Sequence, residues 1–90
     1  MSYTLKTDFA KTDLKALLEQ VALSLVDVKD KVHVNEIRGE RILILELRVD
    51  PGDLGKIIGK QGHIAQAIRT IMHAASMKTG VKLTVEIIEN

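Results

Sequence analysis

The sequence predicts a two-layer α+β domain, with three helices covering one face of a three-stranded mixed sheet in the order αββααβ. Three observations carry that prediction. Apolar residues recur at three- and four-residue spacing over about Asp13 to Asp27, and they alternate over residues 42 to 49 and again from Val81 to Ile88. Between the two alternating stretches lie a short and a longer helical segment joined by glycines. A strand, two helices and a strand close as a right-handed crossover, which makes strands 42–49 and 81–88 parallel neighbours.

The first helix places Leu14, Leu17, Leu18, Val21 and Leu25 on one stripe, and Thr12 or Asp13 can cap it. Strands 32–38 and 42–49 flank the turn Arg38-Gly39-Glu40-Arg41 and form an antiparallel hairpin, with Leu43, Leu45, Leu47 and Val49 on one face. Asp50-Pro51-Gly52-Asp53 is a helix start: Asp50 can cap, Pro51 suits the first helical position, and Asp53 favours the positive helix end. That short helix is expected to end near Ile58. A longer one follows from near His63, with Ile64, Ala67, Ile68, Ile71 and Ala75 marking its apolar face and Gly80 placed to terminate it in the left-handed conformation. The last strand turns Val81, Leu83, Val85 and Ile87 one way. Residues 1–11 are expected to form a flexible arm and residues 12–90 a single domain.

Composition narrows the function classes. Ninety residues bury one core, and the absence of cysteine removes a disulfide framework, thiolate metal sites and a thiol nucleophile. Thirteen Lys and Arg stand against twelve Asp and Glu, so polyanion binding has to come from local charge placement. The longest apolar run, Ile42 to Leu45, is far short of the roughly twenty residues of a membrane span, and the N-terminus has no apolar leader segment. A cytoplasmic protein with no membrane association is expected. Tyr3 and Phe9 are the only aromatics, which disfavours modules that stack bases on aromatic strands.

The informative motif is Gly55-Lys56-Ile57-Ile58-Gly59-Lys60-Gln61-Gly62-His63-Ile64. Two glycines spaced by two residues permit a tight turn whose backbone can approach a ligand closely. The amides of Lys60 and Gln61, with the helix N-terminus near His63, would face an anion, and Lys60 adds a mobile positive charge. Ile58 and the apolar edge of the following helix can supply a floor for bases. A G-x-x-G string alone commonly just joins two helices. Its setting is more specific: an apolar pair before the first glycine, Ile64 two residues after the second, and the whole held inside a βααβ unit.

In that setting the chain resembles the KH domain in its type II element order. Asp53-Leu54-Gly55-Lys56-Ile57-Ile58-Gly59-Lys60-Gln61-Gly62 closely resembles the short bacterial single-KH proteins of the KhpA family. The likeness runs from about Asp13 to Ile88 and takes in Leu25-Val26-Asp27 and Gly39-Glu40-Arg41. It breaks at the N-terminal arm and at Val28-Lys29-Asp30, where such proteins often carry a proline. The resemblance implies an RNA-binding, chaperone-like protein that holds about four nucleotides of single-stranded RNA. It also implies a homodimer, or a heterodimer with another KH-containing protein. Carried over by position, Gly59, Lys60, Gln61 and Gly62 form the RNA-binding loop, flanked by Lys56, Ile58 and His63. Arg69 joins them because Gly62, Gln66, Arg69 and His73 follow one helical stripe, although a solvated surface arginine explains it equally well. Catalytic residues, metals and cofactors are not expected.

Competing classes fit less well. Gly55 to Lys60 reads G-x-x-x-G-K, one residue short of the nucleotide-binding P-loop spacing, with Gln61 where Ser or Thr would bind magnesium. Ile57 occupies the first glycine position of a dinucleotide fingerprint. His33, His63 and His73 lie on different elements or faces, and the neighbours His73 and Ser76 lack an orienting carboxylate. The alternative that stays open is a protein-interaction module with the same fold. For it, Ile37, Ile42 and Ile44 are expected to form an apolar patch on the sheet face away from the helices.

Overall fold

The computed structural model describes residues 13–89, so the expected arm at residues 1–11, with Tyr3 and Phe9, lies outside the described residues. Helix α1 (Leu14–Leu23) begins where Asp13 Oδ1 accepts the Ala16 amide at 3.1 Å. It stops four residues before the end read from the apolar stripe. Ser24 Oγ donates back to the Gln20 carbonyl at 2.8 Å, and Lys29 Nζ donates to the Leu23 carbonyl at 2.8 Å. Leu25 and Val26 still reach the core, but as part of a turn. The stripe is therefore continuous in burial while the helix is not: the Leu25 and Val26 amides both turn back to the Ala22 carbonyl, and those of Asp27 and Val28 go to the Asp53 carboxylate.

The hairpin follows the alternation closely. Strands β1 (His33–Arg38) and β2 (Ile42–Arg48) pair antiparallel from His33 opposite Arg48 to Arg38 opposite Leu43, and the Gly39 amide donates to the Ile42 carbonyl at 2.8 Å across the turn. A single 3-10 turn at Pro51–Asp53 leads into α2 (Leu54–Ile58), and α3 (His63–Ser76) and β3 (Lys82–Ile87) complete the chain. Strand β3 runs parallel to β2, from Ile42 opposite Lys82 to Leu47 opposite Ile87. The sheet order is β1-β2-β3, so β2 is central and β3 is an edge. The central position explains why Leu43, Leu45 and Leu47 are at most 2% exposed: the helices lie directly over them. Val34 and Val85 extend that floor on either side, and Leu18, Ala22, Ile57, Ile68 and Met72 close it from above.

One face was expected elsewhere. The buried line of α3 is Ala65, Ile68, Met72 and Ser76, whereas Ala67 is exposed and Ile71 is 53% exposed. Of the expected stripe Ile68 is fully buried, and Ile64 and Ala75 are half-buried and pack against the core. The helix packs against α1, α2 and β3 together, and the small Ala65 and Ser76 permit close approach while Met72 fills the irregular space between elements. Burying Ser76 leaves no orphan hydroxyl, because Oγ donates to the His73 carbonyl at 2.7 Å. After Ser76 the chain turns through residues 77–79 to Gly80, whose φ of +78° is the left-handed conformation expected of it. On the opposite face of the sheet, Ile37 stands across from Ile44, and Ile37 and Ile42 are about half exposed.

Candidate nucleic-acid interface

The segment from the end of β2 to the start of α3 is fixed by carboxylates. Asp50 Oδ2 accepts the Gly52 amide at 2.9 Å and sets the entry turn, as its sequence position indicates. Asp53 sits at the helix start as expected and has a further role. Instead of capping its own helix, its carboxylate is 2% exposed and accepts the amides of Val28 at 2.9 Å and Asp27 at 3.2 Å. Those bonds tie the start of α2 to the turn after α1. The Val28 amide foremost, with help from Lys56, holds the Asp53 carboxyl below its usual range despite burial.

Lys56 stands one helical turn on, with Nζ 3.1 Å from Asp53 Oδ1 and 3.2 Å from Asp27 Oδ2. Its pKa is raised, first by the hydrogen bond to Asp53 and then by that to Asp27. The lysine thus flanks the loop but is engaged by two carboxylates, a strut between α2 and the preceding turn. Of the apolar pair before the first glycine, Ile57 is fully buried in the core and Ile58 is half-buried beside the loop.

The loop reverses direction through three residues with positive φ: Gly59 (φ +76°, ψ 174°), Gln61 (φ +57°, ψ 23°) and Gly62 (φ +76°, ψ 12°). The two glycines serve different needs. A Cβ on Gly59 would lie 2.5 Å from Ile64 Cγ1 and 2.8 Å from its Cβ, so the loop closes directly onto the first turn of α3. A Cβ on Gly62 would meet nothing within 4 Å, and glycine there answers only to conformation. The amides of Gly59, Gly62 and His63 are engaged by the carbonyls of Gly55, Gly59 and Lys60. Those of Lys60 and Gln61 have no backbone carbonyl partner among the described residues, and no side chain caps the N-terminus of α3. Lys60, Gln61 and His63 are exposed. Unengaged amides, an uncapped fourteen-residue helix and the exposed Lys60 give one positive corner, suited to an anion.

A groove of about 450 Å³ lies between α3 and the edge strand. Gln66, Arg69, Thr70 and His73 line it from the helix, one to three turns beyond Gly62. Leu83, Thr84 and Val85 line it from β3. Arg69 lines it while remaining exposed, with Nε 3.5 Å from the Val85 carbonyl. The helical stripe from Gly62 to His73, read from spacing, is thus one wall of a real concavity. Leu83 and Val85 give this groove its apolar lining, while Ile58 stays beside the loop, where it was expected. Sequence reasoning missed the strand side because the approach of β3 to α3 follows from its place at the sheet edge, which only the strand order fixes. Ser76 offers no chemistry with His73, being buried and bonded to the helix backbone.

Comparison with known proteins agrees with this architecture. A family model described as KhpA/KhpB, KH domain matches residues 15–87. The RNA-binding protein KhpA of Clostridium perfringens is 57% identical over 75 residues, covering 83% of this chain and 100% of that one. KhpA of Aquifex aeolicus is 55% identical over 76 residues, 84% of this chain and 96% of its own, and KhpA of Chlamydia trachomatis is 41% identical over 76 residues. Among solved structures, the crystal structure of Era in complex with MgGDPNP and nucleotides 1506–1542 of 16S ribosomal RNA is similar with a TM-score of 0.56. At 19% identity, covering 97% of this chain and 35% of that one, it shares the fold. With its G-x-x-G loop between α2 and α3 and this match over residues 15–87, the chain belongs to the KhpA/KhpB family of KH domains.

Proposed function

We propose that this protein binds a short segment of single-stranded RNA in a chaperone-like manner, its Gly59–Gly62 loop holding the phosphodiester backbone and its α3–β3 groove receiving the bases. The observation that carries this reading is the corner at the loop: two unengaged amides, an uncapped helix N-terminus and Lys60 meet where the backbone is open to close approach. Gly59, Lys60, Gln61 and Gly62 are the contact residues, His63 and Arg69 extend the site along α3, and Ile58 and Lys56 support the loop from α2. The same reading makes the protein a binder rather than an enzyme. The KhpA names of its relatives support it.

A groove for about four nucleotides without an aromatic platform makes few contacts, so micromolar or weaker affinity is expected for one domain. Self-association, or pairing with another KH-containing chain, would raise the effective concentration of sites. Exposed apolar side chains are available to a partner: Ile37 with Ile42 on the sheet, and Ile71 on α3. An RNA ligand also fits a cytoplasmic protein, and no described helix is long and apolar enough to cross a membrane.

The test is the double substitution Lys60→Asp with Gln61→Asp, measured against a short single-stranded RNA over a salt series. Both positions are exposed, so the melting transition should hold, while affinity falls at least about tenfold, a change of about 1.4 kcal/mol. A folded double variant that binds as the parent does would remove the loop from the site. Binding by the parent that ignores salt would count against phosphate contacts altogether.

A further inference from the structure

We propose that Asp27 sets the strength of phosphate binding at the Gly59–Gly62 loop, by pairing with Lys56 and so withholding a second cation from the RNA backbone. The inference rests on the RNA-binding reading above and goes beyond it in assigning a limit on affinity to a residue outside the loop.

The two lysines of the motif have different surroundings. Lys60 is exposed and has no ion-pair partner among the described residues, whereas Lys56 Nζ lies 3.2 Å from Asp27 Oδ2 and 3.1 Å from Asp53 Oδ1. Lys56 stands three residues before Gly59, about 4.5 Å along the helix axis, and the Gly59 amide donates to the Gly55 carbonyl, so α2 runs unbroken to the loop. A flexible four-carbon stem covers such a span, and the side chain is 45% exposed. Two carboxylates against one ammonium nevertheless leave this flank of the loop net negative, beside the corner suited to phosphate.

The two carboxylates are not equivalent. Asp53 belongs to the fold: it is buried, its Oδ2 accepts the amides of Asp27 and Val28, and its Oδ1 accepts from Lys56. The Asp27 side chain is 79% exposed, and Lys56 is the only side chain that engages it among the described residues. The Asp27 backbone is held separately, by its amide donating to Asp53, so the turn keeps its shape without the Asp27 carboxylate. An exposed ion pair adds little to stability, which leaves the occupation of Lys56 as the main effect of that carboxylate. An ammonium has three N–H donors. Released from Asp27, Lys56 keeps Asp53 with one of them and turns another to a phosphate oxygen.

The experiment measures binding of a short mixed-sequence single-stranded RNA to the parent, Asp27→Asn, Asp27→Glu, Lys56→Met, and Asp27→Asn combined with Lys56→Met, each over a salt series and beside a melting curve. Asp27→Asn should steepen the fall of log affinity with log salt by about 0.7, the increment for one more phosphate contact on a single strand, and so bind about fivefold more tightly at about 0.1 M salt. Asp27→Glu keeps the carboxylate and should behave as the parent does. In the Lys56→Met background the Asn substitution should lose most of that gain and all of the added slope. Two outcomes overturn the proposal: an Asp27→Asn variant with the parent's affinity and slope, or the same gain with and without Lys56, which would leave Asp27 acting through its charge alone. The Asn and Glu variants leave Lys56 in place, so the slope comparison decides even where Lys56→Met does not fold. A parent that binds no RNA at any salt defeats the RNA-binding reading itself, and with it the role of Asp27.

Discussion

Substituting alanine at the two loop glycines separates close packing from backbone conformation. At Gly59 the φ of +76° and ψ of 174° lie in a region open essentially to glycine, and occupying it with a side chain costs about 1–3 kcal/mol. The new Cβ would also sit 2.5 Å from Ile64 Cγ1, and overpacking of that kind costs about 1–3 kcal/mol more. At Gly62 the backbone is left-handed helical, costing about 1–2 kcal/mol, and the Cβ meets no atom within 4 Å. Alanine also stiffens the unfolded chain, which returns about 0.4–1 kcal/mol in both variants. Gly59→Ala is then about 1–5.5 kcal/mol less stable than the parent, and Gly62→Ala about 0–1.5 kcal/mol less stable. The midpoints of those ranges differ by about 2.5 kcal/mol, or about 10–20 °C in melting temperature for a domain of this size. Circular dichroism melts of the two variants, with Gly55→Ala as a control, provide the measurement. Gly55 is exposed in α2 with nothing within 4 Å of a Cβ, so its alanine variant should gain up to about 1 kcal/mol. Equal melting of the Gly59 and Gly62 variants would refute the claim that the loop is closed against Ile64.

Three other perturbations bear on neighbouring features. Gln61→Gly relieves a left-handed side-chain residue and should melt between about 0 and 1.5 kcal/mol above the parent; retained RNA affinity would show that Gln61 contributes its amide, and lost affinity that its side chain matters. The Asp53 carboxyl titrates below its unfolded value, so the folded state binds fewer protons than the unfolded chain, and its stabilisation is present above the unfolded pKa and lost as pH falls through the folded one. Asp53→Asn should therefore be less stable at neutral pH and show a flatter stability curve than the parent between about pH 5 and pH 2; parallel curves would contradict the assignment. Ile71→Lys should reduce any self-association seen by sedimentation while leaving the fold intact, because the side chain is 53% exposed; an unchanged association state would direct attention to Ile37 and Ile42.

Element order and strand pairing were legible in the sequence because they rest on local signals. The alternation of Leu43, Leu45 and Leu47 sets which face of β2 is buried, and the βααβ connection sets a parallel neighbour. The loop's position between α2 and α3 was equally plain, since glycines mark their own turns. What escaped were matters settled by distant partners. The end of α1 depends on Asp53, more than twenty residues later, accepting amides that a longer helix would have used internally. Part of the α3 face escaped because Ala65, Met72 and Ser76 are less apolar than Ile71, yet their size and shape suit a helix packed on three neighbours. The left-handed Gln61 was hidden because positive φ is normally read from glycine, and here the glycines on either side hold a third residue in it. The strand wall of the groove depends on which strand is at the edge.

Closure of Ile64 over Gly59 also has a kinetic meaning. Because the loop is braced by a core-facing side chain at one end and by the Asp53 and Lys56 contacts at the other, its shape is set when the chain folds, before RNA arrives. Encounter then needs little rearrangement, and association can run near the upper end of the ordinary range, about 10⁷ M⁻¹s⁻¹. With a dissociation constant of about 10 μM, such a site lets go at about 100 s⁻¹, a residence of about 10 ms. On the proposed function, a grip that forms readily and lapses within milliseconds would let an RNA strand be held open repeatedly without being sequestered from its pairing partners.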